Sequence, residues 1–378
     1  MEQCDALIVG GGPAGSTLAW KLGQAGLDVM VMDKKSFPRD KVCAGWITPA
    51  VVEALQLDVD DYAGSRTFQP IRRFRTGLIG GDEVETSYDE VVSFGIRRRE
   101  FDHYLLQRSK ARLALSENLA TLVRDGKEWI VNDRIRTPLL VGAGGHYCPV
   151  ARRLGANLGA EESPITAKEV EFELTPEQAA ACTISPDMPE LFFTPELDGY
   201  GWCFRKGPVL NIGLGREAGG RLTESVADFT EWLKSTGKIP ADIPDRFHGH
   251  AYLLYPQRSP RRVIADDVIL IGDAAGLAYP QSGEGIRPAV ESALIAAEVI
   301  LAAKGDYLAT RLAPYVDRLA ERFGERKAGN GSLQWLPQGV KKFFAGRLLG
   351  NRTFTRHVIL DRWFLHRHQQ PLAVAEAE

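Results

Sequence analysis

Three glycines spaced Gly10-x-Gly12-x-x-Gly15 stand between an apolar run, Ala6 to Val9, and a segment in which Leu18, Ala19, Leu22 and Ala25 recur at helical spacing. Gly26 punctuates the end of that helix, and a second apolar run, Val29 to Met32, leads into Asp33. The pattern reads as strand, tight turn, helix and strand, a compact βαβ unit. Each glycine answers a need: the first permits the turn, the second lets backbone approach a pyrophosphate, and the third lets helix and strand pack closely. Pro13 and Ala14 open the helix, whose free N–H groups and partial positive charge suit phosphate. Asp33, 18 residues beyond Gly15, ends the second strand, where a carboxylate can accept from ribose hydroxyls. The N-terminal unit is therefore expected to be α/β, Rossmann-type, and built for a dinucleotide.

Far along the chain, Val268 to Ile271 is an apolar run ending in Gly272-Asp273-Ala274-Ala275-Gly276, and Pro280-Gln281-Ser282-Gly283-Glu284-Gly285-Ile286 then enters a helix. An acid at such a strand end can reach a ribityl or ribose hydroxyl, and the helix start near Gly285 can face an electron-rich ring edge. This stretch resembles the second FAD signature of the class A hydroxylase-like flavoproteins, which makes FAD the expected cofactor. Ile96-Arg97-Arg98-Arg99-Glu100-Phe101-Asp102 resembles their V-x-R-x-x-F-D segment, with Arg98 in place of the arginine near the FAD; the same residues also read as a solvated basic helix start. Leu140 to Gly145 resembles their A-D-G strand end, but Gly144 stands where they carry Asp, so one carboxylate is missing.

Two further stretches resemble the geranylgeranyl reductase family. Lys41-Val42-Cys43-Ala44-Gly45 is similar to its K-x-C-G-G segment, with Ala44 for the first glycine. Tyr200-Gly201-Trp202-Cys203-Phe204-Arg205-Lys206-Gly207, followed by Asn211-Ile212-Gly213-Leu214-Gly215, is similar to Y-x-W-x-F-P-K-G…N-x-G-x-G, with Arg205 for the proline. The resemblance runs from about residue 4 to residue 300. Signatures and resemblance together imply that Gly10, Gly12, Pro13, Ala14, Gly15, Asp33, Lys34, Arg39, Cys43, Ala44, Arg98, Gly272, Asp273, Gly283, Gly285 and Ile286 hold the cofactor. Tyr200 and Trp202 alternate on a strand and so face one way. With Pro280 they are candidates for the wall of an apolar substrate site; ordinary sheet core is the other reading. Cys43 is the catalytic candidate, either a thiol that donates a proton or a small filler beside the flavin ring.

The activity so implied is FAD-dependent reduction of carbon–carbon double bonds in a prenyl or other apolar small molecule, by hydride from reduced flavin. An FAD-dependent monooxygenase shares both FAD motifs and is the alternative. Flavin-dependent halogenases rank lower because their W-x-W-x-I-P segment is not found, and a non-catalytic flavoprotein would need no open cavity. A second dinucleotide fingerprint is not seen, so the electron donor is expected to be transiently bound NAD(P)H or a redox partner protein.

The chain of 378 residues allows a discontinuous layout. Residues 1–60, 95–155 and 262–310 are expected to form the Rossmann-type FAD-binding domain, 61–94 and 156–261 an inserted β-sheet substrate domain, and 311–378 a helical C-terminal part. Within it, Lys34 to Pro49 reads as a functional loop, Ile96 to Arg108 as a helix, Trp129 to Ile135 and Thr137 to Val141 as strands, and residues 167–174 as a half-exposed strand. Tyr200 to Phe204 and Val209 to Leu214 read as a hairpin, and Ala289 to Ala303 as a helix.

Composition narrows the function classes. A net charge of -3 gives no case for nucleic acid. The five cysteines lack a CxxC pair, and the histidines, among them His248 and His250, show no ligand spacing, so neither disulfides nor a metal is expected. Hydrolase and kinase motifs are not found. Without a signal-like N-terminus or a bilayer-length apolar run, the expected place is the cytoplasm, at most peripheral to a membrane. Such contact would fall to the C-terminal region, where Trp335, Leu336, Lys341, Lys342, Phe343 and Phe344, then Arg347, Arg352, Arg356, Arg362, Trp363, Phe364 and Arg367, mix basic and aromatic side chains. The preferred reading of that region is a helical tail that packs on the domain and exposes a charged face.

Overall fold

The computed structural model describes residues 1–156, 162, 164–217, 221–255, 261–325 and 347–372. Ala6–Val9 and Val29–Asp33 are buried along their whole length, as parallel strands covered on both faces must be. They pair in parallel, Ala6 opposite Val29, and the helix Pro13–Gln24 joins them. The six-stranded sheet continues past Val29–Asp33 to Arg112–Leu115. In the other direction it runs through Leu139–Gly142 and Val268–Leu270 to the antiparallel edge Ile264–Ala265. Strand order thus reverses between Ala6–Val9 and Leu139–Gly142. Open α/β sheets bind ligands at the carboxyl ends of the strands flanking such a reversal, which here are Gly10 and Ala143.

The first helix packs against Ile286–Ala303, a helix buried along nearly its whole length. A Cβ on Gly272, whose φ is +59°, would stand 3.0 Å from the Ala14 Cβ. The two glycine-rich segments, distant in sequence, therefore touch behind the site.

A second, seven-stranded sheet has the order His248–Tyr252, Ile165–Glu173, Val209–Glu217, Gly199–Lys206, Glu190–Phe193, Arg73–Leu78, Glu83–Ser87. One face buries Val170, Ile212 and Leu214 against Phe229 and Leu233 of the helix Leu222–Ser235. On the other face lie Ala167, Trp202 and Phe204, packed with Trp46, Phe74 and, from the C-terminal segment, Ile359, Leu360 and Phe364. A three-stranded sheet, Trp46–Ile47, Ser93–Gly95, Gln69–Ile71, places the Cys43 loop.

Several elements differ from expectation. The single strand expected from Trp129 to Ile135 is two antiparallel strands, Glu128–Val131 and Ile135–Thr137. Asn132 and Asp133, at φ +53° and +51°, form the turn between them, and these are the residue types that tolerate a left-handed turn. Lys34 to Pro49 is not all loop, since Trp46–Ile47 pairs with Ser93–Gly95. The helix expected from Ala289 begins at Ile286; Pro288 lies in the first turn, where its missing N–H costs no hydrogen bond. In the C-terminal segment, Phe364 and Leu360 are buried, while Arg352, Arg356, Arg362 and Arg367 are exposed. Trp335, Leu336, Lys341, Lys342, Phe343 and Phe344 lie outside the described residues. Among the described residues no helix is long and apolar enough to cross a membrane.

Candidate functional site

A cavity of about 650 Å³ opens at the reversal point. The glycine turn shows two kinds of constraint. A Cβ on Gly10, where φ is +119°, would lie 2.4 Å from the Ala143 carbonyl oxygen, and one on Gly15 would lie 1.9 Å from that of Gly10. The protein's own packing requires both. A Cβ on Gly12 would meet nothing nearer than the Arg39 guanidinium at 3.5 Å. Gly12 thus keeps clear a space that the chain itself does not fill, at a helix N-terminus with no side-chain cap. That is the cradle a pyrophosphate needs. Beside it, Asp33 accepts from the Gly11 N–H (2.8 Å) and the Lys35 N–H (2.9 Å). Each oxygen keeps a second lone pair for a ribose hydroxyl. The residues present fit FAD.

At the other end, Asp273 faces His250 Nε2 at 3.7 Å. Burial pushes its carboxyl up, but His250, Lys41 and Arg98 together bring it below the ordinary value. Burial, with the Arg98 charge added, brings the Lys41 amine down to about 8. Burial likewise lowers His250 to about 4, Lys41 adding to the effect. Arg98 is no solvated helix start: it is buried, holds Asp102 through two bonds of 2.7 and 2.8 Å, and lies against the Cys43 side chain. Arg39 reaches the same Asp102 at 3.3 Å. Gly283 has φ +67°, and a Cβ there would stand 2.3 Å from the Tyr252 hydroxyl.

The cavity wall contributed by the large sheet is aromatic, and its polar tips are turned into the protein. Tyr200 donates to the Ser282 carbonyl at 2.5 Å and Trp202 Nε1 to Asn211 Oδ1 at 2.6 Å. Asn211 Nδ2 in turn contacts the Cys43 carbonyl (3.2 Å), Glu169 (3.3 Å) and Glu171 (3.2 Å). Burial raises Glu169 to about 8, against the pull of Lys206. The Lys206 ammonium, fully buried, pairs with Glu171 at 2.8 Å and lies directly under Gly45, where a Cβ would come within 2.5 Å of it. Register explains the Asn211-x-Gly213-x-Gly215 pattern: Trp202 is opposite Gly213, and a Cβ on Gly213 would stand 2.2 Å from the indole. Gly213→Val is therefore expected to displace Trp202 and blue-to-red shift its buried fluorescence; an unchanged emission spectrum would show that the indole does not depend on that gap.

Of the residues expected to bind cofactor or substrate, all line the cavity except Gly15, Gly272 and Pro280. Gly15 and Gly272 lie behind the cradle, and Pro280 is exposed. The cavity also takes in Lys41, Trp46, His250, Tyr252 and Glu284, which the motif reading did not assign. Lys41 and Glu284 stood inside quoted motifs; His250 carried no signal, because only strand pairing brings it opposite Ala167. Among the described residues no cluster of three or more His, Cys, Asp or Glu could hold a metal.

Comparison with known proteins agrees with this geometry. Residues 3–61 match the family model described as FAD binding domain. The chain is 29% identical to geranylgeranyl diphosphate reductase of Rhodobacter capsulatus over 319 residues, which span 79% of this chain and 75% of that protein. It is 26% identical over 353 residues to digeranylgeranylglycerophospholipid reductase 3 of Methanosphaera stadtmanae, covering 86% of this chain and 85% of the other. In fold it matches a geranylgeranyl bacteriochlorophyll reductase-like protein from Thermoplasma acidophilum with a TM-score of 0.72 at 19% identity, over 99% of this chain and 94% of that one.

Proposed function

We propose that this FAD-dependent oxidoreductase, akin to the geranylgeranyl reductases, saturates carbon–carbon double bonds of a prenyl chain or a comparably apolar molecule. The observation that carries the reading is the aromatic wall: Tyr200 and Trp202 spend their only donors on Ser282 and Asn211, so the faces left to the cavity are apolar. Relatives named for geranylgeranyl and digeranylgeranyl substrates support the same substrate class. Bound FAD, once reduced by NAD(P)H or a partner reductase, supplies hydride. The chain does the rest. The helix N-terminus at Gly12 would take the pyrophosphate, Asp33 and Asp273 would take hydroxyls, and the N-terminus of Ile286–Ala303 would offer its positive end to the ring. The aromatic wall orients the alkene and keeps water away from it.

Anaerobic reduction of the purified protein, followed by geranylgeranyl diphosphate, tests the proposal. Flavin reoxidation without oxygen, with product mass rising by pairs of hydrogens, supports it. A flavin that reoxidises only with air, giving an oxygenated product, replaces it with the monooxygenase reading. Cys43→Ala is expected to keep FAD and to slow reoxidation by substrate by about tenfold or more. Unchanged turnover would leave Cys43 a packing residue.

A further inference from the structure

Alkene reduction needs a proton as well as a hydride, and the cavity wall holds a carboxyl that the motif reading left without a role. Glu284 precedes the helix Ile286–Ala303, and its side chain is 8% exposed. Its Oε1 accepts from the Arg287 N–H at 3.2 Å. Its Oε2 is buried and takes no hydrogen bond. A carboxylate oxygen left so would carry charge without solvent or partner, which is costly; a carboxylic acid would not.

The charged neighbours do not alter this. On its own helix, the Arg287 guanidinium is committed elsewhere: to Glu291 at 2.8 Å and to the carbonyls of His366 (3.3 Å), Gln369 (2.9 Å) and Gln370 (3.0 Å). Glu291 is itself held by Arg322 at 2.5 Å. From the C-terminal segment, His366 Nε2, also buried and unbonded, faces Glu284 Oε2 at 3.7 Å. The His366 ring stacks on Tyr279 with centroids 3.7 Å apart. Burial, with Arg287 adding to it, holds that imidazole neutral, down at about 3. From the large sheet, the Tyr200 phenol lies close enough to feel Glu284, and it is already bonded to Ser282.

We propose that Glu284 is the acid that protonates the alkene; this rests on the double-bond reductase reading. The π bond breaks, one carbon receives hydride with its electron pair from the reduced flavin, and the neighbouring carbon receives the Glu284 proton. The carboxylate left behind recovers its proton from water admitted to the cavity it lines once product leaves. Consistent with this, burial pushes the Glu284 carboxyl up to about 7, with Glu291 assisting and Arg287 opposing. The proton is therefore present below that pH and lost as the pH rises through it.

The test compares wild type, Glu284→Gln and Cys43→Ala with FAD bound. Glu284→Gln is expected to bind FAD normally, to slow single-turnover reoxidation by prenyl substrate about 10²–10⁴-fold, and to lose the fall in rate above neutrality that wild type and Cys43→Ala both show. In the infrared spectrum of the substrate-free protein at mildly acid pH, a protonated-carboxyl band should be present in wild type and missing in Glu284→Gln. Wild-type rate and pH profile in Glu284→Gln, or loss of the pH limb in Cys43→Ala alone, overturns the assignment of Glu284 while the reductase reading stands. Wild-type protein whose reduced flavin ignores every prenyl substrate overturns both.

Discussion

A Gly12→Val variant is expected to fold and to purify without its yellow colour. Beyond the Arg39 guanidinium, no atom of the chain lies near a Cβ at position 12, so the valine has room in the protein and occupies only the space of the pyrophosphate. Losing two charge-assisted hydrogen bonds from the helix N-terminus costs roughly 1.5–3 kcal/mol each, which weakens FAD binding by about 10²–10⁴-fold. Gly15→Val is the control with the opposite logic. Its Cβ would sit 1.9 Å from the Gly10 oxygen, so the expected result is misfolding rather than a colourless fold. Circular dichroism and flavin absorbance separate the two. A yellow Gly12→Val protein with normal FAD content would remove the cradle from the cofactor site.

The second large effect is expected from Lys206→Met. The ammonium is fully buried and its partner Glu171 is 19% exposed. Removing one member of such a pair leaves the other uncompensated, at a cost of about 3–5 kcal/mol. Arg97, 3.5 Å from Glu171, places the loss near the lower end, a fall in Tm of roughly 4 °C for a chain of this length. Burial opposes ionisation of Glu171, but Lys206 outweighs it and holds the carboxyl below its ordinary value. That contribution is complete above the ordinary carboxylate range and vanishes as the pH falls through the depressed one. The difference in Tm between wild type and variant should therefore close in acid. A constant difference across pH would mean that the methionine acts through packing. Since Lys206 lies under Gly45, the variant should also loosen the Cys43 loop.

Much of the cofactor half was legible because its constraints are local. Gly10, Gly12 and Gly15 fall within one turn, and Asp273 ends a strand that is apolar throughout. Alternation also placed Tyr200 and Trp202 on one face. It could not say what that face meets. His250 enters the cavity through pairing with a strand some eighty residues earlier, Ala167 opposite His250, and no periodicity encodes that. Glu284 reads as part of a glycine turn until the burial of its Oε2 is known. The break at Asn132 and Asp133 was missed for a different reason: apolar residues on both sides masked a turn made by only two polar ones. Phe364, in the tail expected to pack on the domain, stands 5.2 Å from Tyr200 and 6.2 Å from Trp46, centroid to centroid, partners that no periodicity names.

That last contact orders events during synthesis. The cradle at Gly10 leaves the ribosome early, and the six-stranded sheet must wait for Val268–Leu270. The aromatic wall lacks its last packing partner until Phe364 emerges, roughly 20–70 s after Gly10 at about 5–20 residues per second. A nascent chain can thus present a phosphate-binding turn long before it can shelter a reactive ring. Only reduced flavin reacts with oxygen, so FAD taken up before release would be exposed only if it were reduced before the wall is complete.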